Sequence, residues 1–144
     1  MEHKSIKVED FINDYLITHI GEIKNNYPYF AFVLMSIGIE FLGKCQNTDF
    51  DWNKYRHAQP ETDFNKGMEL PSLKKYKQLN LYRNLRCGLA HSLSTNGNLV
   101  LSDKSNTTTL NCEEFYNAFV DACNEILSGK ANMPTKKLTD TFLR

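Results

Sequence analysis

The segment LYRNLRCGLAHSL, residues 81–93, holds two residues able to act together on a phosphate ester. Arg86 carries a permanent planar cation that can hold a phosphate, and His91 an imidazole that can accept and return a proton near neutral pH. Arg83, Asn84 and Cys87 lie in the same stretch. On an α-helix, positions five apart are separated by about 140° and positions eight apart by about 80°. Helical spacing therefore puts Asn84, Cys87 and His91 on one stripe, flanked by Arg83 and Arg86. RNA supplies its own nucleophile, the 2′-hydroxyl. An imidazole to take its proton and one or two guanidiniums on the phosphate are enough for cleavage without a metal. One copy of the chain offers one such histidine, so concerted acid and base catalysis points to two copies meeting about a twofold axis. The plainer reading is that His91 caps the C-terminus of its helix.

Other residues join this set with weaker claims. Lys74, Lys75 and Lys77 extend the basic run towards Arg83 and Arg86, and Lys77 is a candidate RNA contact. Glu40 is the one charge in the middle of an apolar helix. It is either a rim carboxylate or a partner that orients the Arg86 cation. Cys87 can support the site or serve as a thiol nucleophile, although no relay partner is apparent. His3, His19 and His57 have no partner motif.

Composition bounds the rest. The 144 residues suit one domain, residues 1–129, with a loose tail over 130–144. Lys plus Arg and Asp plus Glu both number 17, so no global basic field favours indiscriminate nucleic-acid binding. The four cysteines, Cys45, Cys87, Cys112 and Cys123, form no Cys-x-x-Cys pair, which argues against a zinc site and for free thiols in a cytoplasmic protein. No cofactor is expected. The apolar run Tyr29–Leu42 is shorter than the ~20 residues of a membrane span and reads as a core helix.

The elements that must position the site read as helices. The first covers about Val8–Asn25, and the second begins at Pro28 and runs to about Cys45. A polar stretch, 46–71, contains Phe50, Trp52, Tyr55 and Phe64 as anchors and a short helix near Thr62–Glu69. A third helix is expected from about Ser72, as N-cap, to Ser92. A small β-hairpin comes next, from Leu99–Leu101 and Thr107–Leu110 with Asp103–Asn106 as its turn. The last helix starts after Asn111, which with Glu114 approximates a capping box, and ends at Gly129. The fold class is all-α with this small hairpin.

LYRNLRCGLAHSL resembles the Arg/His helix of the HEPN superfamily (higher eukaryotes and prokaryotes nucleotide-binding domains). Members have an Arg, four to six residues, then a His, late in a helical bundle. Arg86 and His91 have four between them, and the apolar FAFVLMSIGIEFLGKC helix, linker, Arg/His helix and final helix come in similar order. The resemblance implies a four- to five-helix up-and-down bundle, a homodimer and a composite metal-independent endoribonuclease site, with His91 as acid/base and Arg86 on the scissile phosphate. It also implies a bacterial toxin or defence setting, with an antitoxin or another protein as partner. Active members usually carry Asn, Asp or His directly after the motif Arg, where this chain has Cys87. Other members are non-catalytic and bind a nucleotide or a partner protein.

Overall fold

A computed structural model describes residues 4–47, 59–102, 110–129 and 137–140. The expected linker anchors Phe50, Trp52 and Tyr55 and the histidines His3 and His57 lie outside the described residues. So do the Asp103–Asn106 turn and Thr107–Thr109.

The protein is mostly helical, with about six helices and a small two-strand sheet before the last. Helix α1 covers 8–26, as Val8–Phe11, a wider π-helical stretch Ile12–His19, and Ile20–Asn26. Helix α2 is Pro28–Cys45 and α3 is Pro60–Met68, each opening on a proline whose missing N–H costs a first turn nothing. A 3₁₀ helix, Lys74–Leu79, precedes α4, which covers 82–92 as a π-helical turn Tyr82–Cys87 and an α-helical turn Gly88–Ser92. Helix α5 is Cys112–Ser128. Strand β1 (Lys4–Lys7) pairs antiparallel with β4 (Lys137–Asp140), and β2 (Leu101–Ser102) pairs with β3 (Leu110–Asn111).

Helix α2 is central, packed against α1, α3, α4 and α5. It is apolar nearly all round, and 56% of it is buried; its mean hydropathy of 1.3 and its 18 residues would also allow a membrane span by length and composition alone. Its buried face, Phe32, Met35, Ile39 and Leu42, meets Phe64 of α3, Leu85 and Leu89 of α4, and Phe115 and Phe119 of α5 in one core. Phe32 stacks on Phe115 at 5.9 Å between ring centroids. Two glycines let α2 and α3 touch backbone to backbone. A Cβ on Gly43 would lie 1.6 Å from the Asp63 carbonyl oxygen, and one on Gly67 would lie 2.2 Å from that of Ile39. Asp63, buried in this contact, accepts from the Gln59 N–H at 3.2 Å and so closes the start of α3.

Two expectations fail locally. The single helix from Ser72 to Ser92 is broken: Asn80 takes a left-handed conformation (φ 47°), which ends the 3₁₀ helix and lets α4 start afresh. Asn tolerates that conformation because its side chain bonds locally. Ser72 is not a cap; its N–H and hydroxyl both donate to Glu125 of α5. The hairpin is also not formed, because β2 and β3 run parallel, Leu101 opposite Leu110 and Ser102 opposite Asn111. Parallel strands cannot be joined by a tight turn. The direction of β3 is tied to the start of α5, because Asn111 caps that helix, accepting from the Glu114 N–H at 2.9 Å.

Candidate functional site

Helix α4 carries the Arg/His set and is held at both ends. Asn80 starts it, with the Asn84 N–H bonding the Asn80 carbonyl at 3.0 Å. Leu93, left-handed at φ 51°, ends it, and the Ser94 N–H reaches back to the Gly88 carbonyl at 3.3 Å. The Leu93 N–H also bonds the Leu89 carbonyl at 3.2 Å, the αL closure of a helix end, usually made with glycine at the left-handed position. Gly88 is where the chain after the helix crosses over it, since a Cβ there would lie 2.2 Å from the Ser94 oxygen.

Arg86 points inward. Its Nε and Nη2 both meet Glu40 Oε2, at 3.1 and 3.0 Å. Glu40 is buried, and its other oxygen stands 3.6 Å from Lys44 Nζ, one turn along α2. Glu40 is therefore not a solvated carboxylate at the rim; it is buried and paired with both Arg86 and Lys44. Tyr82, four residues before Arg86, lies beneath the guanidinium with its ring centroid 6.0 Å away, and packs on Phe64. Burial, then a hydrogen bond to Cys87, push the Tyr82 hydroxyl above its usual range, with Arg86 opposing. Cys87 is thus a half-buried neighbour of Tyr82.

His91 is exposed in the last turn and makes no hydrogen bond or ion pair among the described residues. Arg83 is exposed as well. The π-helical turn matters here. Bonding five residues along instead of four, it takes up one extra residue and sets back the later positions by about 100°. Arg83 and His91, about 80° apart on a regular helix, come to within roughly 20° of each other. The same shift carries Asn84 off the stripe of His91. Its Nδ2 donates to the Leu79 carbonyl at 3.0 Å, and its backbone carbonyl accepts from the Asn96 N–H at 2.9 Å. Lys77 lies before the Asn80 break and is ion-paired with Glu69, whose carboxyl this hydrogen bond and charge hold below the usual range.

The structure therefore gathers Arg86, Glu40, Lys44 and Tyr82 into one buried-to-half-buried cluster. It leaves Arg83 and His91 on the outer face of α4, and places Asn84 and Lys77 elsewhere. His19 packs edge-on against Tyr15 at 4.8 Å, far along α1. Tyr82 and Lys44 were not singled out from sequence, although both lie at four-residue helical spacing from Arg86 and Glu40. Among the described residues no three His, Cys, Asp or Glu side chains converge on a point that would suit a metal ion. Comparisons with protein-family models, with curated proteins and with solved structures give no match.

Proposed function

We propose that the chain is a HEPN-like RNA-processing domain of the up-and-down bundle type, which cleaves RNA without a metal when two copies bring their α4 helices together in the cytoplasm. One observation carries this reading: a buried carboxylate, Glu40, fixes Arg86, while His91 on the same helix stands exposed and without a partner among the described residues. A fixed cation and an exposed imidazole carried on one helix suit attack by a 2′-hydroxyl.

In the proposed reaction, His91 takes the proton of the 2′-hydroxyl as that oxygen attacks the adjacent phosphorus. Arg83 and the outward edge of Arg86 bear on the phosphate oxygens, where charge accumulates. The bond from phosphorus to the 5′-oxygen breaks, and His91 of the second copy protonates the leaving oxygen. The products are a 2′,3′-cyclic phosphate and a 5′-hydroxyl.

A second reading, a non-catalytic module for a nucleotide or a partner protein such as an antitoxin, is favoured by the Arg86–Glu40 pair being complete within one copy. Incubation with end-labelled single-stranded RNA in EDTA separates the two. The nuclease reading expects cyclic-phosphate ends from wild type, loss of at least 100-fold in His91→Ala, and unchanged helicity in that variant. RNA that is bound but never cut would establish the binding module instead. Cleavage that survives His91→Ala would remove His91 from the mechanism.

A further inference from the structure

A cavity of about 770 Å³ opens beside α4, within the size range of small-molecule sites. Tyr76, Leu79 and Asn84 line one side, and Asn98, Leu99 and Val100 the other. The second wall is anchored before any ligand arrives. The Asn96 side chain donates to the Arg83 carbonyl at 3.0 Å, the Thr95 hydroxyl to the Leu99 carbonyl at 2.8 Å, and the Leu110 N–H to the Val100 carbonyl at 3.1 Å. Gly97, at φ 65°, makes the turn, its Cα so close to Asn84 that a Cβ would lie 3.2 Å from Asn84 Oδ1.

Three of the polar groups lining this cavity, Gln78, Asn84 and Asn98, are carboxamides. Asn84 spends one amide N–H on the Leu79 carbonyl, and its Oδ1 accepts no hydrogen bond among the described residues. Asn98 makes no side-chain hydrogen bond among them, nor does Gln78, which also reaches the cavity. A carboxamide offers a donor and an acceptor side by side, the complement of an amino group next to a ring nitrogen. Asn and Gln side chains make that pairing with the N6 amino group and N7 of adenine. Leu79, Leu99 and Val100 supply apolar surface for the faces of a flat ring. Exposed Lys75 offers a cation for a phosphate, and exposed Glu114 an acceptor for a ribose hydroxyl.

We propose that this cavity is an adenine subsite, seating the base of an RNA nucleotide next to the phosphate handled by Arg83 and His91; in that respect it rests on the RNA reading given above. Asn84 couples the two places, being the residue directly after Arg83.

The test is binding of the four nucleoside 5′-monophosphates to the full chain, monitored through the side-chain amide signals of Asn84 and Asn98, together with RNA cleavage mapping. Expected are binding of AMP at least tenfold tighter than of UMP, CMP or GMP, shifts at both amide groups, and at least fivefold weaker AMP binding in Asn98→Ala. Asn98 is exposed, so that variant keeps its fold. Equal affinity for the four nucleotides, or AMP binding unaffected by Asn98→Ala, overturns the subsite. AMP selectivity without any RNA cleavage keeps the subsite and removes the nuclease. Cleavage with no adenosine preference and no AMP binding keeps the nuclease and removes the subsite.

Discussion

Replacing Glu40 by alanine tests the centre of the structure. In the native protein Glu40 Oε2 receives two guanidinium N–H groups at 3.0–3.1 Å, and Lys44 stands 3.6 Å from its other oxygen. Its side chain is only 7% exposed, that of Arg86 20%. Removing one partner of a buried pair typically costs about 3–5 kcal/mol, because the other charge is left buried without compensation. Arg86 retains some access to water, which places the loss at the lower end, about 3 kcal/mol. For a chain of this length that is a fall in Tm of roughly 10 °C. The paired variant Arg86→Met leaves no orphan cation, so Glu40→Ala in that background should cost much less. Denaturant titration of wild type, both single variants and the double variant gives the coupling, expected at about 2 kcal/mol. A coupling below about 0.5 kcal/mol, the level at which independent sites are additive, would refute the idea that Glu40 fixes Arg86.

Three further outcomes are expected. Gly43→Ala should destabilise by about 3 kcal/mol or more, since its Cβ would meet the Asp63 backbone oxygen and no side chain can yield; urea unfolding measures it. Burial holds the Asp63 carboxyl above its ordinary value, so the native state binds its proton more tightly than the unfolded chain, and this contribution to stability falls as pH rises above about 4. Asp63→Asn keeps an acceptor for the Gln59 N–H and should be more stable than wild type at pH 7 but not at pH 3, by thermal melts at both. Native alkylation with iodoacetamide, read by mass spectrometry, should label Cys87 well before Cys45, Cys112 and Cys123, which are buried; burial also pushes the Cys45 thiol up to about 12.

What could be read from the sequence is what local chemistry controls. Pro28 starts α2 and its apolar run ends at Cys45, as expected, because a proline and a continuous hydrophobic stretch need no distant partner to declare themselves. Asn111 and Glu114 likewise announce α5. The break at Asn80 was hidden because Leu73, Tyr76, Leu79, Leu81, Tyr82 and Leu85 keep nearly helical spacing across it, and one asparagine on such a pattern reads as its polar face. The direction of β2 against β3 depends on where two separate segments meet, which strand composition does not encode. The site was legible as a list of residues but not as an arrangement. Glu40 lies 46 residues from Arg86, so its role stayed open, and regular helical geometry cannot anticipate the π-helical turn Tyr82–Cys87 or the turning of Asn84 onto the Leu79 carbonyl.

The distance in sequence between Glu40 and Arg86 also sets a problem of timing during synthesis. Helix α2 leaves the ribosome with its apolar face uncovered and a carboxylate in its middle whose partner is 46 residues behind. At about 5–20 residues per second that interval lasts roughly 2–9 s. During it Lys44, one turn along the same helix, is the only one of the two cations paired with Glu40 in the finished protein that has been made, so burial of the face bearing Phe32 and Ile39 is least costly after Arg86 emerges. The same pair that locks the finished protein therefore delays the commitment of its central helix, and it makes this segment the natural target of whatever protects the chain before release.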